Sequence, residues 1–465
     1  MIPRIHRSIL LVALALALAA PARAQSHFPA DEDLQVMLDY LVEDGATPGI
    51  VLGILEADGS TRVLSAGTGG PDTRPLGALS VFEIGSINKT FTGTLLADMV
   101  ARGEVALDDP VSKYLPDDVT VPSYEGREIT LLDLVAHHSG LPRVAGNHMP
   151  DDPANPYGNY TVETMYAFLS SHELRRAPGE EFEYSNLGMG LLGHALARAA
   201  GDSYRDLVRE RVLEPLGMTM TGYELSSEIA EWMVKGHLEG GEPTAYWFGT
   251  EAIDGAGGLR SNARDMLAWI AANVAPPETD LGRAMADAHE VRKPVEDDMA
   301  IALAWPVRTL EDGRTILTHG GGTGGFSTRI GLDPGKRVGF VLLTNTGEFP
   351  DDIGMDFLRR GAPLDIPVVD VPEATLRSYV GRYAAGPGPG IAVRLEDYGY
   401  LTIRVPGNVR FRMYPESDSS FYLKRTPWRV RFTRDDAGEV IGIVLNVGGQ
   451  DRAARKMADE ASASE

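Results

Sequence analysis

No cysteine occurs anywhere in the 465 residues. Disulfide staples, thiolate metal sites and a lipid-anchored N-terminal cysteine are therefore excluded, and stability must come from a packed core. Positive charge is in short supply: 43 Lys and Arg stand against 66 Asp and Glu, a formal net charge of −23. A surface that acidic disfavours nucleic acid and anionic lipid as partners. Long apolar runs are missing too, with one exception. Ile9 to Ala20 is an unbroken stretch of twelve apolar residues, too few to span a bilayer. Arg4 and Arg7 precede it and Ala22-Arg23-Ala24 follows, the anatomy of a secretory signal peptide over residues 1–24, cleaved after Ala24. The expectation is a periplasmic or secreted protein with no membrane span once processed, its net charge near −26.

What is present fits a globular enzyme-sized chain. Hydrophobic residues make up 43% and charged residues 23%, enough for one large domain and a smaller one. The larger spans residues 25–361. It opens with "VLGILEADG" and "TRVLSAGTG", two short strands around an Asp58-Gly59 turn. It closes with "TILTHGGGTGGFSTRIGLDPGKRVGFVLLTN", read as a strand, a Gly-rich segment, an Asp-Pro-Gly turn and a second strand. Strands at both ends of a helical middle imply one antiparallel sheet joining distant segments, an α+β layout. "APLDIPVVDVPEA" (362–374), with three prolines, reads as a linker. Residues 375–457 then alternate apolar with Arg or Thr at period two, the pattern of a small all-β barrel or sandwich. That segment carries 14 Lys and Arg against 8 Asp and Glu, leaving the rest of the mature chain near −32. Opposite charges would help dock the two. Residues 458–465, "ADEASASE", read as a disordered tail.

The chemistry is carried by three short stretches. "FEIGSINKTFTG" (82–93) sets Ser86 three residues before Lys89 at the start of a helical pattern in Phe91, Leu95, Leu96, Met99 and Val100. Positions i and i+3 share a helix face, so the lysine lies beside the hydroxyl. A serine needs such a base to become a nucleophile, and lysine serves only if its pKa is depressed. An ordinary helix start would look similar, but no other Ser-x-x-Lys occurs in the chain. "APGEEFEYSNLGMGLLGHAL" offers Tyr184 and Asn186, two apart and pointing the same way on an extended segment. Tyr157-Gly158-Asn159 is a competitor, less firmly placed in a Pro/Asn/Gly-rich loop. "LTHGGGTGGFST" supplies His319 and the glycines 320–322, a strand that substrate backbone can approach and whose N–H groups suit an oxyanion. His138-Ser139-Gly140 has the same spacing but reads as a helix end and turn.

The order Ser-x-x-Lys, Tyr-x-Asn, His-x-Gly resembles the serine β-lactamase and penicillin-binding-protein superfamily, in its class C β-lactamase-like branch of esterases and D-peptidases. "GEVALDDPVSKYLP", "ITLLDLVAHHSGLPR", "PGEEFEYSNLGMGLLG", "EPLGMTMTG" and "GAGGLRSNARDML" extend the likeness over residues 30–350. "YVGRYAA" and "NVGGQDRAARK" make the C-terminal part similar to a lipocalin-like barrel appended to that family. The resemblance implies Ser86 as nucleophile, Lys89 as its base, Tyr184 as proton relay and Asn186 as an orienting group. It puts the oxyanion between the backbone N–H groups of Ser86 and Gly322, and requires neither metal nor organic cofactor. The implied substrate is a small molecule or peptide with an ester, amide or lactam carbonyl; nothing fixes the oligomeric state.

His319-Gly320-Gly321 stands where many β-lactamases have Lys-Thr-Gly. A largely neutral histidine and a bare glycine offer little to a substrate carboxylate. The expected ranking is thus carboxylesterase, then D-amino-acid peptidase, then weak β-lactamase, with β-lactamase or D-alanyl-D-alanine carboxypeptidase as the alternative activity and a penicillin-binding sensor that never turns over as the non-enzymatic one. Other motifs carry less. His137 and His138 with Asp133 lack a third metal ligand at a recognisable spacing. His194, among Leu191, Leu192 and Leu196, reads as a packing residue. Asp108-Asp109-Pro110 reads as a turn before a short helix. "HGGGTGG" is followed by no Gly-Lys-Ser/Thr, and no Gly-x-Ser-x-Gly is present.

Overall fold

The computed structural model describes residues 26–43, 47–238, 242–347, 369–384 and most of 386–457, together with Leu358. The expected signal peptide, linker residues 362–368 and the tail from 458 lie outside the described residues. The chain begins with helix α1 (Asp31–Glu43) and the hairpin β1 (Gly49–Leu55) and β2 (Thr61–Gly67), turned at Asp58-Gly59. A two-residue strand β3 (Phe82–Glu83) and the 3₁₀ turn Gly85–Ile87 lead into α2 (Asn88–Ala101). Helices α3 (Leu131–Val135), α4 (Val162–Ser171), α5 (Asn186–Ala200), α6 (Tyr204–Val208) and α7 (Ser227–Trp232) form the helical middle. Strand β4 (Arg260–Ser261) pairs with β3, and α8 (Ala263–Val274) and α9 (Asp280–Ala288) follow. Then come β5 (Lys293–Glu296), β6 (Met299–Ile301), β7 (Pro306–Thr309), β8 (Thr315–Gly322), β9 (Ser327–Asp333) and β10 (Val338–Thr344).

The main sheet runs β2-β1-β10-β9-β8-β7-β6-β5, antiparallel throughout, with Ile50 opposite Thr344 across the join of the two chain ends. This is the α+β architecture that strands flanking a helical middle imply. One detail differs: the Gly-rich closing stretch makes three strands, because "STRIGLD" after the glycines is itself a strand, paired with β8 and β10.

Every residue of β1 is buried, which explains why "GIVLGIL" shows no alternation. Val51 and Leu55 face a core with Phe91, Leu96 and Trp269 of α2 and α8, where the Phe91 and Trp269 rings stack at 3.9 Å. Ile50, Leu52 and Ile54 face a second core, with α1 and the inner face of the C-terminal strands. The sheet is the wall between the two.

After α10 (Glu373–Ser378), whose first two residues fall inside the expected linker, the nine strands β11 to β19 run from Gly381–Ala384 to Gln450–Lys456. They form one nearly closed antiparallel sheet around Tyr383, Phe421, Phe432 and Ile443. Its edges are β14 (Arg410–Arg412) and β15 (Tyr414–Pro415), separated only by Met413. The barrel meets the acidic first turn of α1 through Arg412, whose guanidinium lies 3.4 Å from Asp33 Oδ1 and 3.8 Å from Glu32 Oε2. Charge contributes there, but the continuous apolar cluster is the larger element of the contact.

Candidate active site

Ser86 occupies the 3₁₀ turn that precedes α2, and Lys89 is the second residue of that helix, so the pair straddles the helix start rather than lying within it. Lys89 Nζ stands 2.9 Å from Ser86 Oγ and donates to the carbonyl of Ala256 at 2.6 Å. The lysine is fully buried, and its pKa is pushed well below the usual ammonium value by desolvation, with Arg143 adding to the fall. Nζ donates to Ser86 Oγ, and burial favours the neutral amine, the form able to accept the serine proton.

The nucleophile turn is held against β8 by an approach only glycine permits. Gly85 takes φ of +51°, and a Cβ there would lie 2.6 Å from Gly322 N. A Cβ on Gly321 would lie 1.9 Å from the Ile84 carbonyl, and Thr328 Oγ1 donates to that same oxygen at 3.0 Å. Gly321 therefore serves contact with the nucleophile turn. Gly320 and Gly322 project to the other, exposed face. His319, on the inward face, is buried and bonded through Nδ1 to the Gly320 carbonyl at 2.8 Å. Burial, with Lys89 adding, pushes its pKa down to about 3, so it is neutral.

Tyr184 comes to the same centre from the segment ahead of α5. Burial raises its pKa to about 12, with Ser86 pulling the other way, so the hydroxyl stays protonated. Lys89 Nζ and Arg143 Cζ each lie 5.0 Å from its ring centroid. Asn186 is the first residue of α5, with Ser185 as N-cap, so the expected extended segment ends one residue earlier than the Tyr-x-Asn pattern implies. Its Nδ2 donates to the Tyr157 hydroxyl at 3.2 Å, while Oδ1 is buried with no hydrogen-bond partner. The competitor Tyr157 is thus part of the site, lining a pocket with Ser86, Asn186, Trp247, Gly322 and Thr323.

Three features were missed in the sequence. His137 was weighed there only as a metal ligand. Here it is buried, at φ of +58°, and brackets Tyr184: its carbonyl accepts from Glu183 N at 2.7 Å and its Nδ1 from Ser185 N at 3.2 Å. The only signal was its place in a stretch that resembles the family. The segment 252–258 was a second omission, since "GAGG" alone does not announce a carbonyl that binds lysine. It is anchored by Arg205 gripping Asp254 at 2.7 and 3.1 Å, by Asn88 Nδ2 on the Asp254 carbonyl and by Thr92 Oγ1 on that of Gly255. The third is the buried Glu83–Arg260 pair, which holds the Trp247 peptide from both sides: Glu83 accepts its N–H and Arg260 donates to its carbonyl, each at 2.7 Å. His194 is bonded to the Tyr166 hydroxyl at 2.6 Å, as expected of a packing residue. No group of three metal-ligating side chains occurs among the described residues.

A serine at the mouth of a buried helix, a desolvated lysine beside it and a glycine strand closing over both is the architecture of serine hydrolases that act through an acylated serine. The chain belongs to the beta-lactamase family, whose sequence pattern matches residues 34–362. It is 32% identical over 327 residues to the D-alanyl-D-alanine-carboxypeptidase/endopeptidase AmpH of Escherichia coli, covering 66% of this chain and 82% of that one. It is 27% identical over 351 residues to a beta-lactamase of Pseudomonas fluorescens, with 67% and 94% covered. Among solved structures, the D-alanine carboxypeptidase AmpC of Burkholderia cenocepacia superimposes with a TM-score of 0.57 at 27% identity, over 69% of this chain and 94% of that one. The family match ends ahead of the barrel strands.

Proposed function

We propose that the protein is an exported hydrolase that forms an acyl-Ser86 intermediate on a D-peptide amide or an ester. The observation that carries this reading is the 2.9 Å contact between Ser86 Oγ and the fully buried Lys89, whose pKa burial pushes down. Lys89 takes the Ser86 proton as Oγ attacks the carbonyl carbon. The oxyanion is met by the N–H groups of Ser86 and Gly322, a reading supported by the close approach of Gly85 to Gly322 N. Tyr184, protonated at rest, delivers a proton to the leaving group, and Asn186 orients the substrate. Water then attacks the acyl-serine, with Lys89 and Tyr184 returning the protons.

The AmpH likeness favours a D-peptide among amide substrates, and an ester is easier to cleave than an unstrained amide. A lactam ranks last because His319 is neutral and turned inward, and Gly320 has no side chain. Export rests on the signal-peptide pattern in residues 1–24.

Intact-mass spectrometry tests the reading. Wild type and Ser86→Ala are exposed briefly to a short p-nitrophenyl ester, a D-Ala-D-Ala peptide and a chromogenic cephalosporin. A transient adduct on wild type alone, released fastest with the ester or peptide, is expected. Turnover retained by Ser86→Ala removes Ser86 as nucleophile, and a persistent adduct with no release identifies a sensor instead.

A further inference from the structure

We propose that Arg143 is a specificity-determining residue that selects substrates bearing a negative charge, its exposed guanidinium standing over the ring of Tyr184. The inference rests on the hydrolase reading above and names the substrate class of the same site.

The backbone at this point is fixed while the side chain is not. The Arg143 carbonyl accepts from Asn186 N at 2.9 Å and Leu187 N at 3.2 Å, and the Pro142 carbonyl accepts from Ser185 Oγ at 2.7 Å. Arg143 is therefore tied to the helix start that carries Asn186. Its side chain is exposed, and its guanidinium makes no hydrogen bond or ion pair with any described residue; its one recorded contact is the Tyr184 ring, 5.0 Å away. A guanidinium on an aromatic face is steadied by the stacking and keeps its edge donors free for a carboxylate or similar anion.

The other cations near the centre are committed. Lys89 is buried against Ser86 and Ala256, and Arg260 is buried among Glu83, Trp247 and Tyr223. His319 stands where a lysine would serve an anion from the β8 side, and it is neutral. Arg143 brings a guanidinium to the face of Tyr184 instead. Lys89 Nζ and Arg143 Cζ each lie 5.0 Å from the Tyr184 ring centroid, which sets the guanidinium within about 10 Å of the amine.

The test compares substrates that differ by one charge, with wild type, Arg143→Gln and Arg143→Lys, each checked by thermal unfolding. One arm pairs mono-p-nitrophenyl glutarate with p-nitrophenyl pentanoate, placing the charge on the acyl side. The other pairs a D-Ala-D-Ala peptide with its C-terminal amide, placing it on the leaving side. The ratio of kcat/KM for charged over neutral partner should fall about tenfold in Arg143→Gln in one arm, the loss expected for a charge-assisted hydrogen bond, and recover in part in Arg143→Lys. Wild-type KM for the charged partner should also rise with salt, and that rise should vanish in Arg143→Gln. An unchanged ratio in both arms, with wild type active, overturns the role of Arg143 alone. A wild type inert towards all four substrates removes the hydrolase reading, and the proposal falls with it.

Discussion

Lys89 Nζ donates to the carbonyl oxygen of Ala256 at 2.6 Å, across 167 positions of sequence. A carbonyl, unlike a carboxylate, holds the amine without stabilising its charged form strongly, so desolvation decides the protonation state. Replacing Lys89 by Met keeps the apolar stem and removes the base. Steady-state kinetics on the ester should show kcat lower by about 10³-fold, within the range of general-base catalysis, with little change in KM.

The pH dependence of kcat/KM follows from the same burial. Activity requires neutral Lys89 and protonated Tyr184, so the rate should rise with pH through an apparent pKa well below 10.5 and hold until the tyrosine ionises near 12. A rising limb centred at 10.5 would show that the lysine is not desolvated in solution. Stability has its own acid limb. His319 has a folded value of about 3 against 6.5 when unfolded, so the unfolded chain binds its proton first as pH falls. Stability from this group is full above 6.5 and is lost as pH drops from 6.5 towards 3. Urea titrations across that window should show a smaller loss in His319→Asn.

Gly321 and Gly322 are adjacent in sequence and opposite in role. Gly321→Ala drives a methyl to 1.9 Å from the Ile84 carbonyl, with backbone that has no room to yield. Calorimetry should show a loss of about 1–3 kcal/mol or more, and activity should fall with it because the nucleophile turn must shift. Gly322→Ala meets no atom within 4 Å, so its stability should stay within about 0.5 kcal/mol of wild type.

His137 holds Tyr184 from both neighbouring peptides. Its φ of +58° is hard for a β-branched residue and tolerable for asparagine. His137→Val should destabilise the protein by about 1–3 kcal/mol and lower kcat about 100-fold through a displaced phenol. His137→Asn should recover the stability and leave the kcat defect, which separates backbone strain from positioning of Tyr184.

Much of this was legible because local chemistry constrains local sequence. The Asp58-Gly59 hairpin, the helix behind Ser86 and the period-two strands beyond residue 375 each satisfy their own backbone, and their patterns can be read within a dozen residues. The Ser86–Lys89 contact is of the same kind, since a spacing of three around a helix start places both groups together. Tyr184, Asn186 and the 319–322 run were found through motif order, which named them without saying what they touch. What the sequence by itself determined was thus the elements, the juxtaposition of Ser86 and Lys89 and the acidic, cysteine-free character of the chain. Only the tertiary structure decided that a buried carbonyl at Ala256 would hold Lys89, that His137 would bracket Tyr184 and that Tyr157 would join Asn186. It also decided which glycine of the run faces Ile84. Those relationships join segments far apart in the chain, and the burial that lowers the Lys89 pKa exists only once two cores have closed around the sheet.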